Sequence, residues 1–145
     1  MKDIVNTILD SSTGQIKISN ELIISKSTKP DDLYAYYQVK NIEVWDVQTG
    51  FVHYTIRDIE LQDKYFVFSF CFFGDKFHSL TFGFKDQPGM LSWNDWSETK
   101  AIQNKIEYDH WLNNEAGAQR VFQWGKIEAL YDPKGGGSGI ILRYI

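Results

Sequence analysis

Residues 65–84 read YFVFSFCFFGDKFHSLTFGF, the most regular pattern in the chain. Phenylalanine occupies alternate positions, at Phe66, Phe68, Phe70 and Phe72. A period of two is the spacing of side chains on one face of a β-strand. After a turn at Gly74-Asp75, the pattern returns with His78, Leu80, Phe82 and Phe84 on one face. The stretch therefore predicts two antiparallel strands, Tyr65–Phe73 and Lys76–Phe84, that share an apolar face.

Shorter runs on both sides of this stretch also predict strands. Val44–Val47 and Phe51–Arg57 flank the turn Gln48-Thr49-Gly50 and predict a hairpin that leads into the meander. Near the start of the chain, two short strands are expected at Gln15–Ile18 and Glu21–Ile24. Near its end, a last hairpin is expected from Arg120–Leu130 and Gly139–Ile145, around a glycine-rich turn.

Two segments predict helices. Thr28-Lys29-Pro30-Asp31 has the form of a capping box, with Thr28 accepting from the Asp31 amide, and a short helix is expected to run through Leu33 and Tyr37. A long helix is expected to open within Ser92–Glu98, capped by Asn94 or Asp95. It should run to about Glu115 and stop at Gly117, a residue suited to a left-handed C-terminal cap.

The order of these elements predicts the fold class. Strands and helices do not alternate, which argues against a parallel α/β sheet. At 145 residues, the chain has the length of one typical domain. We expect a single α+β domain over residues 1–145: a curved antiparallel sheet, made of the meander and the C-terminal hairpin, with the long helix packed on it and a short N-terminal helix.

Charge and composition exclude several classes of protein. Lys and Arg number 15 against 19 Asp and Glu, a formal net charge of −4. This balance argues against a general nucleic-acid binder, which needs a basic field, and is compatible with a basic protein partner. Met1–Asn6 does not resemble a signal peptide, and the longest nearly apolar run, Tyr65–Phe73, is too short for a membrane-spanning helix. We therefore expect a cytoplasmic protein that does not bind membranes.

Residues with catalytic potential are few. His53, His78 and His110 have no metal-ligand partner at short spacing, and a single cysteine, Cys71, allows neither an internal disulfide nor a multi-cysteine metal site. Cys71 lies between Phe70 and Phe72 with no basic neighbour in the sequence, which favours a small filler residue on the other face of the strand. The sequence thus predicts no catalytic residue, no metal and no cofactor.

The most suggestive segment for binding is Trp93-Asn94-Asp95-Trp96-Ser97-Glu98. Tryptophan anchors concentrate binding energy at protein interfaces, and acids beside them would select a basic partner and speed its approach. The alternative is that both tryptophans pack beneath the start of the long helix.

Five segments together resemble a group of small cytoplasmic bacterial proteins, the immunity proteins encoded beside polymorphic or contact-dependent toxins. These segments are Trp93–Glu98, Trp111-Leu112, Trp124-Gly125, Tyr131–Lys134 and Ile140–Tyr144. The resemblance implies an inhibitor without catalytic residues that binds and neutralises a toxin domain. The residues expected to contact that partner are Trp93, Asp95, Trp96 and Glu98, and then Asp132 and Lys134 in the loop Asp132–Gly137.

Two other functions stay open from the sequence. The Phe-rich face could line a cone-like pocket for a small ligand or an enzyme substrate, with His53, Tyr54 or His78 as polar groups. A purely structural role is the third possibility.

Overall fold

The computed structural model describes residues 7–87, 97–132 and 137–145. Its elements are, in chain order, β1 (Ile16–Lys17), β2 (Ile23–Ile24), α1 (Pro30–Tyr36), a 3-10 helix (Val39–Asn41), β3 (Glu43–Asp46), β4 (Phe51–Leu61), β5 (Lys64–Phe73), β6 (Lys76–Lys85), α2 (Glu98–Ala116), β7 (Val121–Phe122), β8 (Gly125–Asp132) and β9 (Gly137–Tyr144). Strands β1 and β2 form a small sheet, and the other seven form one sheet in the order β3-β4-β5-β6-β9-β8-β7. Every pairing is antiparallel. The α+β class predicted from the sequence is confirmed.

Strand β5 lies inside the sheet, between β4 and β6, and shows which face of the sheet is buried. Its alternating phenylalanines are all 0% exposed, namely Phe66, Phe68, Phe70 and Phe72. We call the face that carries them the inner face and the opposite one the outer face. Strand β4 leads into β5 through Gln62 and Asp63, which both have positive φ, at 54° and 62°. Such two-residue turns match the right-handed twist of paired strands, so the register of the meander follows from the turn.

Helix α2 covers the inner face through Trp111. The indole ring of Trp111 lies 5.7 to 6.2 Å from the rings of Phe66, Phe82 and Phe84. Its Nε1–H donates to Oε1 of Gln62 at 2.9 Å, so the polar edge of the buried ring is satisfied. The helix therefore joins the two central strands and the turn between β4 and β5 in one core.

The ends of α2 confirm one prediction and correct another. Gly117 ends the helix with φ 72°, as expected. The helix begins at Glu98, however, and its N-cap is Ser97, whose Oγ accepts from the Lys100 amide at 3.1 Å. Because Ser97 is the cap, the prediction that Asn94 or Asp95 caps the helix was wrong; both residues lie outside the described part of the chain.

Strand β6 departs from the predicted pattern at His78. A register shift between Cys71 and Phe72 makes Phe72 pair with Phe77, while Cys71 pairs with Ser79. His78 is the extra residue of this bulge and does not share the inner face with Leu80. Phe77 takes the inner position instead and stacks on Phe72 at 4.9 Å.

The N-terminal elements are shorter than predicted, and one cap differs. Strands β1 and β2 have two residues each. The N-cap of α1 is Lys29, whose amide donates to Oδ2 of Asp32 at 2.8 Å. Thr28 does not accept from the Asp31 amide as predicted. Its Oγ1 accepts from the Ser25 amide at 2.9 Å, because the preceding turn folds back onto it.

A close approach between Gly83 and Tyr108 fixes the position of α2 along the sheet. Pairing between β6 and β9 covers three residue pairs and ends at Phe82 with Ile140. Just beyond, Tyr108 packs on Phe84 and its hydroxyl donates to the Phe84 carbonyl at 3.4 Å. A Cβ at Gly83 would lie 2.6 Å from Oη of Tyr108, so this contact requires glycine.

We predict that Gly83→Ala lowers the free energy of unfolding by about 1–3 kcal/mol, because the added methyl collides with Tyr108. Tyr108→Phe removes the nearest atom and should recover part of this loss in the double variant, although alone it costs about 1 kcal/mol. Urea denaturation measures the free energy of unfolding of the single variants and of the double variant. Gly137→Ala is the matched control, since an added Cβ there meets nothing within 4 Å. Equal stabilities for the two alanine variants would contradict the proposed contact.

Candidate protein-binding surfaces

The residues predicted to contact a partner fall into two groups. Trp93, Asp95, Trp96 and Lys134 lie outside the described residues. Glu98 opens α2, and Asp132 ends β8.

The structure brings Glu98 and Asp132 together around Tyr131. The Tyr131 hydroxyl is hydrogen-bonded to the Glu98 carboxylate, and partial desolvation, Glu98 and Asp132 together raise the pKa of this phenol. Two carboxylates separated by 34 positions in the sequence thus flank one aromatic ring. Two of the predicted contact residues, Glu98 and Asp132, therefore lie on one described surface with Tyr131, which we call the acidic surface.

A second surface lies on the outer face, and the sequence did not predict it. We call it the aromatic patch, and it consists of Trp45, Phe51, His53, Phe73 and His78. Trp45 packs on His53 with ring centroids 5.6 Å apart, and Phe51 contacts both Phe73 and His78 at 4.9 and 5.1 Å. The patch is open to solvent, since Trp45 is 67% exposed and Phe73 is 51% exposed.

The cross-strand register explains why these residues meet. Trp45 pairs with His53, and Phe51 pairs with Phe73, so three strands place their outer-face side chains in adjacent rows. The bulge in β6 then adds His78 to the same face. The sequence held one signal of the patch: Phe72 and Phe73 are consecutive, and consecutive residues of a strand point to opposite faces. One of the two therefore had to leave the core.

Two imidazoles of the patch contact two small polar side chains that lie beneath it, Cys71 and Ser79. Nε2 of His53 lies 3.9 Å from Sγ of Cys71, and Nδ1 of His78 lies 3.1 Å from Oγ of Ser79. Burial raises the pKa of the Cys71 thiol above its ordinary value, and a hydrogen bond with Ser79 opposes this only in part. This arrangement therefore favours a neutral thiol, whereas a nucleophilic cysteine needs its thiolate form.

Other features of the structure bear on the remaining predictions. Within residues 7–87, 97–132 and 137–145, no three His, Cys, Asp or Glu side chains are grouped so that they could hold a metal ion. A groove of about 670 Å³ lies beside α2 and is lined by Val67, Ser69 and Thr81 among others. His53, Tyr54 and His78, the polar groups expected in a ligand pocket, do not line this groove.

No family model, curated protein or solved structure matches the chain. Neither helix of the described residues combines the length and the apolar character needed to cross a bilayer.

We predict that iodoacetamide labels Cys71 more slowly in the folded protein than in concentrated urea, because the raised pKa lowers the thiolate fraction. Labelling of the folded protein should accelerate only when the pH rises above the ordinary value of 9.0. The raised pKa also links folding to pH. Below the ordinary pKa of 9.0 the thiol is neutral and its burial stabilises the folded state, and this stabilisation is lost as the pH rises through the folded pKa. His53→Ala should not slow the labelling. Fast labelling at neutral pH that depends on His53 would instead identify an activated thiolate.

Proposed function

We propose that the chain is a non-enzymatic binding protein of the immunity type, which binds a toxin domain and neutralises it. The observation that supports this most is the aromatic patch, in which Trp45 and Phe73 are exposed on a rigid sheet. Exposed apolar clusters on soluble proteins are typical of interaction sites, and tryptophan is enriched among the residues that dominate binding energy.

The support beneath the patch suits a binding surface. Cys71 and Ser79 are 7% and 6% exposed and form the floor between β4 and β6. Strands β4 and β5 pair over almost their whole length, from Phe51 with Phe73 to Leu61 with Lys64. A surface held in this way loses little conformational entropy when a partner binds, so more of the contact energy appears as affinity.

Acids at the same end of the sheet as the patch favour a basic partner, and Lys76, which pairs with Phe73, is a cation beside the patch. Tyr54 lies on the inner side of β4 at the same end of the sheet, and its pKa is raised first by burial and further by Tyr34 and the acids Asp46, Asp31 and Asp75. Asp46 follows Trp45, and Asp75 lies two positions after Phe73. Together with the net charge of −4, these acids would speed the approach of a basic protein surface.

We predict that the double variant Trp45→Ser/Phe73→Ser loses the toxin partner. Each anchor should contribute about 2 kcal/mol or more, which is on the order of a 30-fold loss of affinity per residue. The test is capture of the partner by tagged protein in the native host, followed by co-expression with the captured domain in sensitive cells. Wild-type protein should protect those cells, and the double variant should not.

Val121→Ser is the matched control for this experiment. Val121 is 64% exposed and lies in β7, the strand at the opposite edge of the sheet, so it tests loss of any exposed apolar residue. The proposal fails if the double variant protects as well as Val121→Ser, or if the captured domain is not toxic.

The acidic surface at Tyr131 allows a separate prediction. Glu98→Lys with Asp132→Lys should slow association with a basic toxin domain by about tenfold or more at low salt and weaken the dependence of the rate on ionic strength. Stopped-flow or surface-plasmon measurements of the association rate at two salt concentrations would show this. An association rate equal to that of the wild type would remove this surface from the contact area.

A further inference from the structure

The two edges of the seven-stranded sheet are built differently. At one edge, β7 has two residues, and the Val121 carbonyl accepts from Nε2 of Gln119 at 2.7 Å. At the other edge, β3 has four residues, Glu43–Asp46, and all four are exposed. Proteins usually shorten or cover sheet edges because an open edge pairs with other chains. The edge at β3 is open, and it carries Val44 and Trp45 where edge strands often carry lysine or proline.

The pairing of β3 with β4 shows which backbone groups of β3 remain free. The Val47 amide donates to the Phe51 carbonyl at 3.3 Å, which marks these two residues as a hydrogen-bonded pair. Such pairs alternate along an antiparallel ladder, so Trp45 and Glu43 also direct their backbone groups toward β4. The backbone N–H and C=O groups of Val44 and Asp46 therefore point away from the sheet, toward a strand that could be added.

The charges of β3 favour a basic strand over a second copy of this chain. Because the outward backbone groups belong to Val44 and Asp46, two fully overlapping antiparallel copies would align Trp45 with Trp45 and Asp46 with Val44. Such a pair would bring the acids of both copies to one edge, and neither copy of Glu43–Asp46 supplies a cation to balance them. Glu43 is bound by Arg57, but Asp46 has no cationic partner of this kind among the described ion pairs. A foreign strand with a cation at each end and apolar residues between them would instead complement β3.

We infer that β3 accepts one antiparallel strand of a basic protein partner, with the pattern basic, apolar, apolar, basic. This inference rests on the proposed function and specifies how its partner is recognised. The added strand would satisfy the free groups of Val44 and Asp46 and place its cations beside Glu43 and Asp46. It would also cover Trp45, so the aromatic patch and the free edge would form one continuous interface.

The experiment uses the full chain and a defined probe. The probe is a cyclic β-hairpin peptide whose free strand contains lysine, tyrosine, valine and lysine in that order, which places a lysine opposite Asp46 and another opposite Glu43. Amide hydrogen exchange is followed by NMR with and without peptide. We expect the Val44 and Asp46 amides to exchange at least tenfold more slowly when the peptide is bound. The Trp45 amide, which faces β4, should change less.

Two controls test the charge and the backbone separately. A peptide with glutamate in place of both lysines should bind at least tenfold more weakly. Val44→Pro removes one outward N–H and leaves the bonds to β4 intact, so it should reduce lysine-peptide binding at least tenfold more than Val44→Ala, which shortens the same side chain and keeps the N–H. If Val44→Pro does not fold, the exchange rates of the Val44 and Asp46 amides in the wild-type protein, with and without peptide, still test the strand addition.

The outcomes separate this inference from the proposed function. Unchanged exchange at Val44 and Asp46 at the highest peptide concentration overturns the strand addition, and so does equal binding of the two peptides. Protection that appears without peptide and grows with protein concentration would show that a second copy occupies the edge, which also overturns it. A toxin partner that is lost with Trp45→Ser/Phe73→Ser but retained by Val44→Pro would support the proposed function while rejecting the added strand.

Discussion

The contact between the phenylalanines of β5 and Trp111 of α2 is the interaction on which the rest of the structure depends. Phe66 and Phe68 stack at 5.7 Å, and Phe68 and Phe70 at 6.3 Å, so the inner face presents a continuous aromatic surface. Burying each such ring contributes roughly 1.5–3 kcal/mol, which is available only if a second layer covers the sheet. Helix α2 supplies part of that layer through Trp111 and Leu112, and the N-terminal elements supply the rest through residues such as Ile16 and Leu33.

The N-terminal segment shares the core of the sheet, where Ile8, Leu9 and Ile16 are buried, and polar contacts of long sequence separation hold it there. Nε1 of Trp124 donates to the Ser11 carbonyl at 2.8 Å, and Oη of Tyr144 donates to the Gly14 carbonyl at 2.7 Å. Oε1 of Glu115 accepts from the amides of Ile8 and Leu9. These contacts anchor the start of the chain beside β8 and β9. The described contacts do not cover the edge at β3 in this way, so one edge of the sheet is partly covered and the other is exposed.

The candidate surfaces depend on small irregularities in an otherwise regular sheet. The bulge at His78 moves an imidazole to the outer face, where it meets Phe51. The same shift brings Ser79 opposite Cys71 and gives the thiol a hydrogen bond without giving it a charge. The outer face thus combines an exposed aromatic surface with a buried polar floor of Cys71 and Ser79.

Sequence periodicity by itself determined the α+β class, the meander, the C-terminal hairpin and the stop of α2 at Gly117, because these depend on local backbone preferences and on the alternation of side chains. The sequence named Glu98 and Asp132 as separate candidate contact residues, and the tertiary structure placed both beside Tyr131. Only the tertiary structure decided the strand order, the cap at Ser97, the bulge at His78 and the grouping of Trp45 with Phe73. Those features depend on which strands lie side by side and on which face the helix covers, and alternation along one strand carries no information about either.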